Sequence, residues 1–421
     1  MRPMNSVASP VSTSGHDITL LQGSGEYFAA LIAAIDAAQH EVRMETYAFD
    51  TTAGGEQVAA ALERAAQRGL RVQLLMDGVG TDALPQEWQQ RFDASSVQWR
   101  IYKPMGRLGY LAPSRWRRLH RKLCVIDAGT AQEQGFCGGI NILDDYHDPN
   151  HGALEQPRFD FAVYVHGPLI AQMNEAVQRL WRSLDSFDLL KNKQIKQGMK
   201  SWVNERQDLL RFGLSHQAKQ LEATAVAARA YIVFRDNLRF RNRIEKAYLK
   251  AIGAASQDIT IANAYFLPGG KLRRALLAAA QRGVRVQLLL QGRYEYFMQY
   301  HAARPVYAKL LAAGIEIHEY EASFLHAKVA VMDAYSSRAW ATVGSSNLDP
   351  LSLLLAREAN VVVHDTAFAT ELHERLILAM QQGGRKVDAQ VFANRPWHQR
   401  LLDRIAFALM RLALSVTGNR Y

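Results

Sequence analysis

Residues 65–75 (AAQRGLRVQLL) and residues 279–289 (AAQRGVRVQLL) are almost the same stretch of sequence, repeated within one chain. Each copy starts as the end of an amphipathic helix, and its glycine, Gly69 or Gly283, suits the left-handed position that ends many helices. The apolar run after the glycine predicts a buried strand. A helix-to-strand unit that occurs twice predicts a chain built from two related halves.

The pattern continues upstream of both copies. A strand is predicted over residues 42–47 in the first half and over residues 259–265 in the second. A helix precedes each strand, near Tyr27–Gln39 and near Asn242–Ala255. Strands and helices that alternate within each half predict an α/β fold with layers of sheet and helix.

The repeat also sets the expected domain boundaries. We expect a flexible leader over residues 1–16, a first domain over 17–185 and a second domain over 229–385. The polar and lysine-rich stretch 186–228 is interpreted as a basic helical connector. Residues 386–421 are expected to end in a basic amphipathic helix, because apolar residues recur there at helical spacing.

A second pattern follows each copy downstream. It reads H-x-K-x4-D, at residues 120–127 (HRKLCVID) and at residues 326–333 (HAKVAVMD). An asparagine stands 21 residues after each histidine, at Asn141 and Asn347. The apolar residues after each lysine predict a strand, and alternate residues of a strand share a face. Each half therefore presents an imidazole, an ammonium and a carboxamide to one place.

This set of side chains suits phosphate-ester chemistry. A neutral imidazole attacks phosphorus, ammonium and carboxamide groups hold the phosphoryl oxygens, and a second, protonated imidazole donates a proton to the leaving alcohol. Two halves supply two of each group, so we expect one site in the cleft between them. The lysines supply positive charge, so we expect no metal and no other cofactor. The candidate groups are His120, Lys122, His326 and Lys328.

Composition excludes several classes of protein. The 421 residues include 50 basic and 40 acidic side chains, and 48% are hydrophobic, which is typical of a globular chain. Two cysteines, Cys124 and Cys137, exclude a disulfide scaffold and fit a reducing compartment. We find no signal peptide and no apolar run of the roughly 18–20 residues that a membrane-spanning helix needs. The net charge of +10 predicts an anionic partner, either acidic lipid or nucleic acid.

The doubled motif, with its trailing G-[GS]-x-N turns, resembles the phospholipase D superfamily. Residues 344–352 (GSSNLDPLS) and 263–269 (NAYFLPG) are similar to bacterial cardiolipin synthases, and the absence of N-terminal spans is similar to their short B-type. The resemblance covers residues 17–385. It implies two α/β/α sandwiches packed as a pseudo-twofold pair, with the active site between them.

The resemblance also implies a reaction. A phosphatidyl group passes from one phosphatidylglycerol to another through a phosphatidyl-histidine, giving cardiolipin and glycerol, with His120 as the nucleophile and His326 as the acid. The alternative is a phospholipase D-type hydrolase or nuclease that uses the same paired site. A non-catalytic lipid-binding module is a third class, but the intact histidines and lysines of both halves argue against it.

The resemblance implies further roles around the motifs. Asp160 and Glu358 would each orient a histidine, the alternative being an ion pair with Arg158 or Arg357. Substrate-binding roles fall to Asn141, Asn347 and Ser345. Asp127 and Asp333 complete the candidate catalytic motif, although we expect them to be structural. Gly139 stands where many members of the superfamily have serine, so the two halves are not chemically equal.

Two basic segments bear on the partner. Arginines and aromatic residues are interleaved over residues 99–122, which suits phospholipid headgroups, single-stranded nucleic acid or merely a solvated loop. The tail helix from Trp397 to Val416 suits either a membrane interface or packing on the domain. We expect an anionic phospholipid, phosphatidylglycerol, and the membrane surface as partners, with no nucleic acid. The expected location is peripheral, on the cytoplasmic side of the bacterial cell membrane.

Overall fold

The computed structural model describes residues 12–104, 117–148, 151–191, 228–236, 240, 242–294, 297–349 and 356–416. Most of the expected leader and connector lies outside these residues. The first strand starts at Thr13, inside the stretch expected as a leader, and the last helix of the first half extends to Lys191, inside the expected connector.

The first half contains ten strands and four helices in its described residues. The strands are β1 (Thr13–Gln22), β2 (Glu41–Thr46), β3 (Arg71–Asp77), β4 (Gln98–Tyr102), β5 (Arg118–Leu119), β6 (Lys122–Ile126), β7 (Gln134–Gly138), β8 (His147–Asp148), β9 (Gly152–Ala153) and β10 (Phe161–His166). The helices are α1 (Gly23–Ala37), α2 (Ala53–Gln67), α3 (Gln86–Ser95) and α4 (Leu169–Lys191).

The second half repeats this order. Its strands are β11 (Ala228–Arg235), β12 (Asp258–Asn263), β13 (Arg285–Gln291), β14 (Glu316–Tyr320), β15 (Lys328–Met332), β16 (Trp340–Gly344), β17 (Ala356–His364) and β18 (Gly384–Lys386). Its helices in the described residues are α5 (Arg243–Ala254), α6 (Gly270–Gln281), α7 (Phe297–Ala312), α8 (Thr366–Gly383), α9 (Ala389–Ala393) and α10 (Trp397–Val416).

One continuous sheet runs through both halves. Its strand order is β18-β14-β13-β12-β15-β16-β17-β11-β1-β10-β7-β6-β2-β3-β4, so each half contributes the same order read outward from the centre. The halves join where β1 and β11 pair antiparallel, at Thr13 with Ala230 and at His16 with Ala228. This arrangement relates the two H-x-K strands, β6 and β15, by a pseudo-twofold axis.

Helices cover both faces of the sheet. One core lies between the first-half strands and α1–α3, and a second lies between the second-half strands and α5–α7. A third core is shared, because α4 and α8 pack on the other face and bring Met173 and Leu372 into the same apolar cluster. The predicted α/β fold with two sandwich-like halves is therefore confirmed.

Candidate active site

The two H-x-K strands begin at the junction between the halves, and main-chain hydrogen bonds cross that junction. The His120 amide donates to the carbonyl oxygen of Arg357 at 3.0 Å, and the His326 amide donates to the carbonyl oxygen of Phe159 at 2.9 Å. Strand β5 also pairs in parallel with the start of β17. Each histidine is thus fixed by backbone from the half that does not contain it.

The histidine side chains cross in the same way. His120 Nδ1 lies 3.1 Å from Glu358 Oε2, and His326 Nδ1 lies 2.6 Å from Asp160 Oδ2. A carboxylate that accepts from Nδ1–H fixes the tautomer and leaves Nε2 for chemistry. Each carboxylate comes from the opposite half, so neither histidine is completed by its own repeat.

The carboxylates therefore meet histidines rather than the neighbouring arginines considered from the sequence. Arg158 instead forms an ion pair with Asp148 at 2.8 Å. Arg357 contributes its carbonyl oxygen to the His120 amide, as described above.

The two motif lysines lie beside the histidines and are buried. Lys122 Nζ donates to the carbonyl oxygen of His120 at 2.8 Å, and Lys328 Nζ donates to that of His326. Burial lowers the pKa of Lys122 to about 7, although Glu358 opposes that shift. A second positive charge, on Lys328, lowers it further. Burial and the nearby charge of Lys328 therefore both favour the neutral form of Lys122.

Burial also shifts the pKa values of the two histidines and their carboxylate partners, and the shifts differ between the two pairs. Burial lowers the pKa of His120, opposed by Glu358, and lowers that of His326 well below its usual value, with Lys328 and Lys122 adding to the effect. Burial raises the pKa of Asp160 to about 6. Burial also acts to raise the pKa of Glu358, but His120, Lys122 and a hydroxyl bond outweigh it, so that pKa is lowered. Glu358 is the more firmly ionised carboxylate.

A serine in one half and a glycine in the other add to this difference between the carboxylates. Ser345 Oγ donates to Glu358 Oε2 at 2.5 Å, which stabilises the Glu358 anion. The substrate-binding role expected of Ser345 stays a prediction, and the hydroxyl bond to Glu358 is a contact within the protein that the sequence did not indicate. Gly139 takes the equivalent position in the first half, and a Cβ there would lie 2.3 Å from Asp160 Oδ1. The shorter Asp160 occupies the space that a serine side chain would need.

Replacement of Gly139 by alanine should therefore displace Asp160 and release His326. We expect turnover to fall roughly tenfold to a hundredfold, because misplacement of a reacting group by about 1 Å has effects of that size. Gly253→Ala is the matched control, since a Cβ at Gly253 meets nothing within 4 Å. Steady-state rates of the two folded variants test this. Equal rates for Gly139→Ala and the control would show that Asp160 does not need this space.

The two motif asparagines have unequal surroundings. Asn141 Oδ1 accepts from the amide of Ala48 at 3.2 Å, which leaves its Nδ2 to donate. Asn347 is buried, and its Oδ1 has no hydrogen-bond partner among the described residues. Rotation of that carboxamide by half a turn would present N–H donors at the same spot. Both side chains can therefore donate to an oxyanion.

Two residues beside the site were missed from the sequence. Asn263 pairs in register with Lys328, its Oδ1 accepts from the amide of Leu348 at 3.1 Å, and its buried Nδ2 has no partner among the described residues. The Tyr47 ring lies 5.0 Å from the His120 ring, edge to face. Both stand at the end of a strand next to a motif strand, which is the signal that could have identified them.

Asp127 and Asp333 lie at the far ends of their strands. Five residues separate Lys122 from Asp127, which is roughly 16 Å along a strand. Asp127 accepts from the amides of Gln39, His40 and Glu41, and Asp333 accepts from those of Ser256, Gln257 and Asp258. These contacts support the structural role expected of both aspartates, since each one fixes the start of the neighbouring strand of the sheet.

Three of the described arginines of the basic segment 99–122 form ion pairs within the protein. Arg100 pairs with Asp185 at 2.6 Å, Arg118 with Asp77 at 3.2 Å, and Arg121 with the buried Glu45. Residues 105–116 lie outside the described residues. Each of these three arginines therefore has an acidic partner within the protein.

The described residues contain neither a metal-binding cluster nor a membrane-spanning helix. No three His, Cys, Asp or Glu side chains are grouped as a metal site would require. No helix in those residues is long and apolar enough to span a bilayer.

Comparison with known proteins agrees with this geometry. Residues 31–181 and 248–377 match the family described as cardiolipin synthase, PLD-like domain. The chain is 35% identical to cardiolipin synthase B of Escherichia coli (strain K12), over 96% of this chain and 90% of that protein. It is 28% identical to a cardiolipin synthase of Halalkalibacterium halodurans, over 94% of this chain and 72% of that protein.

A solved structure supports the fold. The phosphatidylserine synthase of Haemophilus influenzae superposes with a TM-score of 0.62 at 12% identity, over 95% of this chain and 94% of that one. This similarity concerns architecture alone. The sequence matches show that the chain belongs to the cardiolipin synthase family of phospholipase D-like proteins.

Proposed function

We propose that this protein is a phosphatidyltransferase that joins two phosphatidylglycerol molecules into cardiolipin and releases glycerol. The observation that supports this most is the crossed pairing of His120 with Glu358 and of His326 with Asp160. This pairing orients two imidazoles, and the ammonium groups of Lys122 and Lys328 lie beside them in the same buried site. The names of the relatives favour a transferase over the alternatives of a hydrolase or a nuclease.

The proposed first step is attack of His120 Nε2 on the phosphorus of one phosphatidylglycerol. A nitrogen–phosphorus bond forms, the bond from phosphorus to the glycerol headgroup breaks, and His326 gives its proton to the departing oxygen. Lys122, Lys328 and the two motif asparagines hold the phosphoryl oxygens while negative charge develops.

The second step reverses the first with a new alcohol. A terminal hydroxyl of the second phosphatidylglycerol attacks phosphorus, His326 takes the hydroxyl proton, and His120 leaves as a neutral imidazole. The product is cardiolipin, and both histidines return to their starting states. Water in place of the lipid alcohol would give phosphatidic acid, which is the hydrolase outcome.

The carboxylates support His120 as the nucleophile. Glu358 is firmly ionised, so it accepts from Nδ1–H and increases electron density on Nε2 of His120. Asp160 and His326 form the shorter contact, with a raised carboxyl pKa and a lowered imidazole pKa. An anionic phosphodiester in the site would favour protonation of His326, which then acts as a strong acid.

Incubation with phosphatidylglycerol vesicles tests the reaction. Cardiolipin and glycerol should appear in equal amounts, with little phosphatidic acid. Phosphatidic acid as the main product would indicate a hydrolase, and cleavage of DNA without any cardiolipin formation would indicate a nuclease.

The rate should depend on pH as a bell. At low pH, His120 becomes protonated and cannot attack. As pH rises through about 7, Lys122 of the free enzyme loses its proton, because burial has lowered its pKa to that value. We therefore expect kcat/KM to decline on the alkaline side of about pH 7. A kcat/KM profile that is flat from about pH 5 to about pH 9 would contradict the proposed protonation states.

The C-terminal helix supports a peripheral position on a membrane. Asp403, Ala406 and Met410 of α10 are buried against the second half, where Asp403 accepts from His301 and Arg395. The apolar residues on the other side of the helix are exposed to solvent: Trp397, Leu401, Leu402, Ile405 and Leu409. One face of α10 therefore packs on the domain, and the exposed apolar face is available to a membrane interface.

We propose that this exposed face lies in the interface of an anionic bilayer, on the cytoplasmic side of the bacterial cell membrane. Arg400 and Arg404 are exposed beside it and would meet anionic headgroups. The buried thiols of Cys124 and Cys137 are free, which fits a reducing compartment.

Substitution of Ile405 and Leu409 by serine should weaken binding to phosphatidylglycerol vesicles about thirtyfold. These side chains are 48% and 52% exposed, and burial of the exposed parts is worth about 1 kcal/mol each. Leu378→Ser is the matched control, because Leu378 is 50% exposed on α8. Vesicle flotation measures the difference. Equal binding of the double variant and the control would show that α10 is not the membrane-facing element.

A further inference from the structure

A basic cavity of about 600 Å³ lies between α4 and the outer strands of the first half. Four arginines line it: Arg43 from β2, Arg71 from β3, Arg100 from β4 and Arg182 from α4. The lining contains one carboxylate, Asp185, and the indole of Trp181 lies under the Arg100 guanidinium at 4.6 Å.

The arginines are held in place by their surroundings. The buried Arg43 donates to Asn174 Oδ1 at 2.8 Å and to Gln73 Oε1 at 3.1 Å, and it pairs with Glu41 behind the cavity. Burial lowers the pKa of Arg43, and the charges of Arg71 and Arg182 lower it further, although Glu41 opposes these shifts. The four guanidiniums line one cavity and oppose one another there, with Glu41 also 3.9 Å from Arg71 and Asp185 2.6 Å from Arg100.

The second half shows that the fold does not require this charge. Strand register places Thr260 where the first half has Arg43, since each pairs with the residue five positions after a motif histidine. By the same register, Gln98 and Arg100 correspond to Glu316 and His318. The three strand arginines of the first half thus correspond to a single arginine, Arg285, in the second half. The shared fold therefore does not account for the positive charge of this cavity.

The cavity is separate from the paired histidines. Arg43 shares a face of the sheet with its cross-strand neighbour Val125. Lys122 is three residues before Val125, an odd offset that places its side chain on the opposite face. The sheet itself therefore stands between the cavity and the site of the proposed transfer.

We propose that this cavity binds a phosphate group, carried either by a water-soluble phosphate or by an anionic lipid headgroup. Guanidinium groups match the oxygens of phosphate with paired, charge-assisted hydrogen bonds. Repulsion among the arginines is relieved when such an anion enters. The proposal concerns a second ligand and does not depend on the transferase reaction.

Residue-resolved protection from phenylglyoxal, a reagent for arginine, tests the proposal on the wild-type protein. Arg71 and its repeat counterpart Arg285 make a matched pair, since their side chains are 63% and 64% exposed. We expect inorganic phosphate to slow modification of Arg71 at least about threefold, relative to chloride at equal ionic strength, and to leave Arg285 unchanged. Peptide mass spectrometry reads both residues in one sample.

Two vesicle arms identify the source of the phosphate. Protection of Arg71 by free phosphate alone assigns the site to a soluble ester, and protection by phosphatidate vesicles assigns it to a headgroup. Arg100→Gln and Arg182→Gln together should abolish protection in a protein that keeps its fold by circular dichroism. Three outcomes overturn the proposal: no protection by phosphate or phosphatidate vesicles, equal protection of Arg285, or equal protection by vesicles of neutral lipid.

Discussion

Alanine in place of His120 or His326 is expected to lower cardiolipin formation at least about a thousandfold. One histidine forms the bond to phosphorus and the other moves the proton, and loss of either stops the cycle. The double variant should be no slower than the single ones, because groups that act as a unit are not additive. Initial rates on phosphatidylglycerol vesicles measure all three.

His147→Ala is the matched control for these variants. His147 is exposed and belongs to the short β8–β9 hairpin rather than to the junction between the halves. We expect its rate to stay close to that of the wild type. If either motif variant behaved like this control, the paired site would not be the catalytic one.

Replacement of Glu358 by glutamine is expected to lower kcat about a hundredfold to a ten-thousandfold with little change in KM. Glutamine keeps the shape of the side chain but removes the charge that orients His120. Asp160→Asn should act in the same way on His326. We expect both effects on the chemical step, because each carboxylate contacts Nδ1 of its histidine rather than the reacting Nε2.

The pH profile separates this role from a merely structural one. Glu358 raises the pKa of His120, so its loss should lower that pKa and move the acid limb of kcat/KM to lower pH. Glu319→Gln is the control, because Glu319 is a buried carboxylate of the second half that pairs with Arg304. That variant should lose stability without a shift of the acid limb. An unmoved limb in Glu358→Gln would contradict the orienting role.

Much of the fold and the identity of the site groups could be predicted because they are local properties of a repeat. The helix-to-strand unit and the H-x-K pattern each occur twice, and strand periodicity alone places His120 and Lys122 on one face. The two halves were therefore visible in the sequence, and the structure joins them by a short antiparallel contact between β1 and β11.

The remaining features depend on how the halves meet, which no local pattern encodes. The sequence indicated that Asp160 and Glu358 orient histidines, but not that each serves the histidine of the other half. Ser345 and Gly139 looked like the gain or loss of a substrate contact. Their effect is on the space and charge of the adjacent carboxylate, which only packing reveals.

In two places, the sequence pattern did not predict which side chains are buried. Arg121 belongs to a basic segment that suited a solvated loop, yet its side chain is buried and pairs with Glu45. The apolar stripe of α10 would ordinarily predict the face that packs on the domain. The structure packs the helix through Asp403, Ala406 and Met410 and exposes the stripe, because Asp403 finds partners in His301 and Arg395.

Detection of the covalent intermediate is the most direct test that His120 carries the phosphatidyl group. The enzyme is mixed with labelled phosphatidylglycerol, quenched at mildly alkaline pH in denaturant because the nitrogen–phosphorus bond is labile in acid, and digested for mass spectrometry. We expect a phosphatidyl group on the peptide that contains His120, and no such group in His120→Ala. Label on His326 would reverse the two roles, and cardiolipin formation with no label on either histidine would contradict the mechanism.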